Sequence, residues 1–387
     1  MTARSRTSRI FDVFTTFFML GFTSFGGPAA HLGYFNQTFI KQKKWADEAQ
    51  YAQWVALSQI VPGPGSSQVG FALGYHRAGL AGGIAAFIGF TLPSFVIMVL
   101  LAQFGSHWQD NSLFANVIHS LKLLAVVIVA DACISMWSSF CRRRVMATIA
   151  ILSAGVLVVF SHHLASLLVL FSAALVGAFI PAGTTTQHAL LPSVSIGRAC
   201  FVLALLLFIA SFAFDTGLIG LFADFYQAGA LVFGGGHVVL PMLASVASDS
   251  INDNSLLVGY AAAQAVPGPM FTMASFLGAS VTPHDSNPWL WAGIATLAIF
   301  SSGLLLMLSA QNAWQTLANH PRAHTIIQSL NASVVGILIA ALYHPIATSS
   351  ITNIWDIALV TAGFLWLKYQ RPPILILITA AILTGLL

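Results

Sequence analysis

Residues 59–68 read QIVPGPGSSQ, and residues 264–269 read QAVPGP. A Pro-Gly-Pro inside an apolar run stops a helix: the prolines remove backbone donors, and the glycine between them turns where a side chain would obstruct. What surrounds these two stops decides the fold. The chain has 387 residues, 57% hydrophobic and 7% charged, with mean hydropathy +0.85. A water-soluble surface cannot be built from that composition. Apolar runs such as 82–104 and 123–140 match the roughly 20 residues a helix needs to cross hydrocarbon. Strand-like alternation is absent, which argues against a β-barrel. The expected class is an all-α polytopic membrane protein, interrupted at specific points.

The interruptions belong to a repeat. Phe25-Gly26-Gly27-Pro28 aligns with Phe233-Gly234-Gly235-Gly236, Gln59 to Pro64 with Gln264 to Pro269, and SLKLLAVVIVADA (120–132) with SLNASVVGILIAA (329–341), at offsets of 208, 205 and 209. Ordered matches at nearly constant offset define two homologous halves. We expect an N-terminal repeat over 1–181, a linker with a connecting span over 182–216, and a C-terminal repeat over 217–387. Each half is expected to open with two broken-helix hairpins, 10–40 and 48–75 in the first, 217–247 and 255–279 in the second. Spans near 79–105, 112–140, 145–160, 164–181 and 198–214 then separate the hairpin sets.

Charge placement orients the halves. With the basic N-terminus read as a retained cytoplasmic tail, five crossings put the second half in from the other face. Arg4, Arg6, Arg9, Lys41, Lys43, Lys44, Arg77, Arg142, Arg143, Arg144, Arg198, Arg322, Lys368 and Arg371 then fall on the cytoplasmic side. The outer loops hold Asp110, Asp215, Asp249, Asp253 and Asp285 with no lysine or arginine, and Lys122 alone lies inside a span. Such segregation follows the positive-inside rule and supports an inverted repeat. The net charge of +4 is therefore topological, and no nucleic-acid partner is expected. Cys133, Cys141 and Cys200 form neither a metal-ligand spacing nor a disulfide framework. No metal or cofactor is expected, and no catalytic residue.

A helix break in hydrocarbon is tolerated only where protein, water or ligand satisfies the freed backbone, at several kcal/mol per unpaired group. A new half-helix is expected to start at about Gly65, with Ser66, Ser67 and Gln68 in its first turn. Its free N–H groups and positive dipole end make an anion site. The second break continues Met270-Phe271, keeping backbone donors and losing the hydroxyls. The Phe-Gly-Gly segments supply two more breaks, with His31 and His237 close behind; each histidine could be a ligand, a proton carrier or a donor to a carbonyl. Gln59 and Gln264 could cap exposed carbonyls or touch substrate. Lys122 could snorkel to the interface or face an anion, and Asp131, Asp224 and Asp356 are weaker candidates for proton transfer.

GFTSFGGPAAHLGYF, SQIVPGPGSSQVGFALGY, LVFGGGHVVLPML and AQAVPGPMFTMASFLG together resemble the chromate ion transporter (CHR) family in its long two-domain form. The resemblance spans nearly the whole chain. It implies a multi-pass bacterial inner-membrane protein that expels chromate and confers chromate resistance. It carries the family's motif positions to Phe25, Gly26, Gly27, Pro28, His31, Pro62, Gly63 and Pro64, and to Gly234, Gly235, Gly236, His237, Pro267, Gly268 and Pro269. With Gln59, Ser66, Ser67, Lys122 and Gln264, these form the expected substrate site. The expected partners are chromate, with sulfate as a competitor, membrane lipid and a second copy of the chain. Rival functions are a sulfate or other oxyanion carrier and, from another class, a membrane chromate reductase. The absence of any flavin, nicotinamide or paired-cysteine motif argues against the reductase.

Overall fold

A computed structural model describes residues 6–107, 112–160, 163–181, 196–247, 251–319, 321–370 and 372–386. The expected loop positions Asp110 and Asp249, the cations Arg4 and Arg371, and linker residues 182–195 lie outside this set. The described residues are helical, with no strand among them.

The helices run α1 (Arg6–Thr23), α2 (Gly27–Phe35), α3 (Glu48–Ser58), α4 (Gly65–Ala78), α5 (Leu80–His107), α6 (Ser112–Phe140), α7 (Arg144–Val159) and α8 (His163–Phe179) in the first half. After the connecting α9 (Gly197–Ala210) come α10 (Gly217–Leu231), α11 (Val239–Val246), α12 (Asp253–Ala265), α13 (Met273–Ser280), α14 (Pro288–Asn319), α15 (Pro321–Ala341), α16 (Thr348–Ser350), α17 (Ile354–Gln370) and α18 (Ile374–Leu386). The order repeats: α1 to α6 correspond to α10 to α15, and α7 and α8 to α17 and α18. Among the described residues, four stretches are long and apolar enough to span a bilayer: Leu80–Gly105, Ala115–Phe140, Pro288–Gln311 and Arg322–Ser350. The helices flanking the Pro-Gly-Pro stops are shorter, with 11 residues in α3, 14 in α4, 13 in α12 and 8 in α13. Each falls below the roughly 20 residues of a full crossing, so the stops do produce half-helices.

The chain forms two compact units, and each draws on both repeats. The first contains Met1–Phe104, Ala189–Gly236 and Ala262–Trp314; the second contains Gly105–His188, His237–Ala261 and Gln315–Leu387.

Within the first unit, α4 packs on α1, α2 and α3. Phe17, Phe35, Phe39 and Phe90 stack beside it with ring centroids 4.5–6.3 Å apart. The repeat shows in the glycine contacts. A Cβ on Gly21 would stand 2.8 Å from the Phe90 carbonyl of α5, and one on the equivalent Gly229 of α10 would strike the Ile299 carbonyl of α14. Small residues let backbones approach where lipid offers no hydrophobic drive between helices.

The second unit is built by exchange. α15 of the second repeat lies against α7 and α8 of the first, while its counterpart α6 lies against α17 and α18. Gly336 of α15 abuts Ala150 of α7. A Cβ on Gly385 of α18 would stand 2.7 Å from the Val117 Cα of α6. A bulky residue at either glycine would part the helices. Asn353 and Asp356 open α17 as a reciprocal cap: the Asn353 side chain accepts from the Trp355 and Asp356 amides, and the Asp356 carboxylate accepts from the Thr352 and Asn353 amides. The same carboxylate takes the Thr352 hydroxyl and His119 Nε2 of α6, at 2.8 and 2.9 Å.

Candidate functional site

The four breaks meet inside the first unit. α3 ends at Ser58, residues 59–64 carry the first stop, and α4 begins at Gly65, where the sequence placed it. Gly63 has φ +122 and Gly268 φ +106, conformations open to glycine and costly for other residues. Gly26, Gly27, Gly234 and Gly235 also have positive φ, at +97, +74, +77 and +133. The breaks are thus duplicated in backbone geometry as well as in sequence.

They are also braced across the repeats. The Gly63 amide donates to the Val232 carbonyl, just before Phe233-Gly234-Gly235, at 2.8 Å. The Gly268 amide donates to the Ser24 carbonyl, just before Phe25-Gly26-Gly27, at 2.9 Å. Val232 and Ser24 are repeat equivalents, so each Pro-Gly-Pro is tied to the opposite half's Phe-Gly-Gly. The same exchange holds for the long helices: Gly63 lies against Gly303 of α14, and Gly268 against Ser94 of α5. Gly236, Pro28, Gly27 and Met270 sit together where the loops cross.

His31 ties three of these pieces. It is buried, its Nε2 donates to the Ser24 carbonyl at 3.2 Å, and its Nδ1 stands 3.3 Å from the Ser66 hydroxyl. A carbonyl only accepts, so Nε2 bears the hydrogen and Nδ1 accepts from Ser66. Both ring nitrogens are therefore engaged, and the Ser24 carbonyl holds His31 and Gly268 at once. Gln68, which is fully buried, folds its amide back to donate to the Pro62 and Gly303 carbonyls at 2.8 and 3.1 Å. It satisfies the carbonyl of the break, the capping task that Gln59 and Gln264 offered in the sequence. Gln59 itself is exposed, and Gln264 Nε2 donates to the Met270 sulfur at 3.6 Å.

Donors remain free at the start of α4, beside a buried hydroxyl. Gln68 N makes the first bond of α4, to Pro64 O. The amides of Gly65, Ser66 and Ser67 ahead of it have no acceptor among the described residues, as the first turn of a helix leaves them. The Ser67 hydroxyl is buried and unpartnered as well. The second repeat fills the equivalent end with large side chains. Its chain passes through a tight turn at Met270–Thr272 before α13, the Thr272 amide and hydroxyl both bond the Pro269 carbonyl, and Met270 and Phe271 fill the space. Replacing Gly-Ser by Met-Phe turns an open helix start into packed core.

Two expected site residues belong to the second unit. Lys122 Nζ donates to Asn254 Oδ1, next to Asp253 at the start of α12, at 2.8 Å. Its amine thus reaches the polar end of a helix, as a snorkelling lysine does. His237 is half-buried, with Nδ1 2.9 Å from the Tyr260 hydroxyl of α12.

A polytopic helical protein with two homologous halves and broken helices gathered at a shared crossing belongs to the architectural class of secondary transporters. The family model described as "Chromate transporter" matches the chain twice, over residues 11–178 and 219–386. The chain belongs to the chromate transporter family. It is 28% identical over 388 residues to a probable chromate transport protein of Synechococcus elongatus, covering 95% of this chain and 92% of that one. It is 26% identical over 384 residues to a chromate transport protein of Cupriavidus metallidurans, covering 96% and 91%. An uncharacterized transporter of Methanocaldococcus jannaschii is 26% identical over 352 residues, covering 88% and 85%. No solved structure matches the chain significantly.

Proposed function

We propose that this protein exports chromate from the cytoplasm, conferring chromate resistance, and that the oxyanion binds at the start of α4. The observation that carries the site is the set of free donors there: the amides of Gly65, Ser66 and Ser67 with the buried, unpartnered Ser67 hydroxyl. Three convergent amides at the positive end of a 14-residue helix suit a tetrahedral anion. The family and the names of its relatives favour chromate over sulfate, which offers the same shape and charge. The clustering of lysine and arginine in one set of loops supports an inner-membrane protein with its N-terminus inside. From a negative-inside cell, export of a dianion is favoured by about 4.6 kcal/mol per 100 mV, at about 2.3 per charge.

The braces give alternating access a physical form. Each Pro-Gly-Pro is held by the other repeat's Phe-Gly-Gly, so a shift of one half is felt at the break of the other. The test is chromate uptake into everted membrane vesicles carrying the wild type or Ser67→Leu, with sulfate as competitor. A leucine at Ser67 should raise the chromate KM at least tenfold at unchanged protein level. An unchanged KM would remove the α4 start as the binding site.

A further inference from the structure

The two motif histidines are equivalents in the repeat, yet they have different surroundings. His31 has both nitrogens bound, to Ser24 and Ser66. His237 has one, Nδ1, held by the Tyr260 hydroxyl at 2.9 Å, and its Nε2 makes no hydrogen bond among the described residues. The rings also differ in cover, His31 being fully buried and His237 half-buried. Tyr260 is fully buried, so the group that orients His237 is itself fixed.

A tyrosine hydroxyl can donate or accept. With hydrogen on Nδ1 and the tyrosine oxygen accepting, the lone pair of Nε2 is open to a proton, and taking one leaves the Tyr260 bond intact. Asp131 of α6 lies within electrostatic reach of the ring. α11 itself, VLPMLASV, carries no titratable side chain. The helices α8 and α15 that pack on it carry only His163, Arg322 and His324, all within their first four residues. Tyr260, by its hydrogen bond, and Asp131, by its charge, are the ionisable groups set against His237. An ionisable residue inside a membrane protein with one nitrogen steadied and the other free has the form of a proton relay.

We propose that His237 is a proton-binding site that couples chromate export to a proton moving inward. Nε2 takes one proton from the outer side and releases it to the cytoplasm for each chromate carried out; only the N–H bond forms and breaks. Transport stays electrogenic, with dianion and proton driving charge in the same sense. The proposal rests on the transport function above and assigns His237 the proton instead of the oxyanion.

The experiment uses everted vesicles with the potential clamped at zero and an acid lumen imposed, in wild type and His237→Gln. Protons leaving the lumen should drive chromate in, raising its steady accumulation by about tenfold per unit of pH difference for one proton per ion. His237→Gln should lose that response while still answering to an imposed potential. Trapping of chromate by protonation in the lumen is common to both proteins, so the difference between them isolates coupling. His31→Gln should keep the wild-type ratio of pH-driven to potential-driven uptake, whatever its absolute rate. A variant that stays coupled, or a wild type indifferent to the pH gradient, overturns the proposal. If His237→Gln does not accumulate in the membrane, Tyr260→Phe decides: the pH of half-maximal coupled uptake should move, and an unmoved profile overturns the assignment. Absence of chromate flux under every gradient would instead condemn the transport function itself.

Discussion

The two Pro-Gly-Pro glycines occupy equivalent places and have unequal neighbours, which makes Gly63→Ala and Gly268→Ala a sharp pair. At Gly63 the new Cβ would lie 2.6 Å from the Gly303 Cα and 3.0 Å from Gln68 Nε2. The obstacle is backbone, so α14 or the loop must move, and the bond from Gly63 N to Val232 O is strained with it. Positive φ costs ~1–3 kcal/mol for a residue with a side chain, overpacking a further ~1–3, and a weakened hydrogen bond about 1. A loss of ~3–7 kcal/mol follows. At Gly268 the Cβ meets Ser94 Oγ at 2.8 Å and Ser94 Cβ at 3.1 Å. A hydroxyl can rotate away, so the φ cost dominates and the loss is ~1–3 kcal/mol. Thermal unfolding of the purified proteins in detergent, with membrane levels measured alongside, should rank wild type above Gly268→Ala above Gly63→Ala. Adding Ser94→Ala should recover part of the Gly268→Ala loss. Equal losses at the two glycines, or no recovery from Ser94→Ala, would refute the inference that the breaks are braced by opposite repeats through these contacts.

Three further outcomes are expected. Gln68→Met, which installs the residue found at the equivalent Met273, removes donors from the buried Pro62 and Gly303 carbonyls and should lower stability by ~1–3 kcal/mol; an unchanged melting temperature would show that the amide does not hold the break. Lys122→Met removes only the partly exposed bond to Asn254, so chromate flux at matched protein level should stay within about twofold of wild type; a larger loss would place Lys122 on the transport path. Asp356→Ala empties an acceptor of four hydrogen bonds at the start of α17 and should cost ~2–4 kcal/mol, whereas His119→Ala, at the half-exposed end of the pair, should cost about 1 or less. Equal effects in thermal unfolding would mean that the His119 contact, and not the cap, supplies the stability.

The repeat, the four breaks and the first residue of α4 were legible because proline and glycine act locally, whatever packs around them. The exchange of α6 and α15 between repeats was not, since it is decided by which glycine faces which carbonyl, and Gly336 gives no sign in the chain of its contact with Ala150. The site was partly legible. Gly-Ser against Met-Phe after the two stops announced unequal ends, and the structure shows the consequence: open amides at Gly65–Ser67 and a filled turn at Met270–Thr272. Which amides are already occupied depends on contacts some 170 to 240 residues away, from Gly63 to Val232 and from Ser24 to Gly268, beyond any local pattern. Gln68 carries a local signal, because a glutamine one turn into a half-helix can fold back on the break. His31 and His237 look alike in sequence, and only their partners Ser66 and Tyr260 separate them.

Chromate flux in everted vesicles, with potential and pH gradient imposed separately and sulfate as competitor, tests the central claim most directly. An inside-positive potential should drive chromate uptake by the wild type, and Ser67→Leu should raise its KM. Robust sulfate uptake with no chromate flux would leave the architecture standing and contradict the substrate.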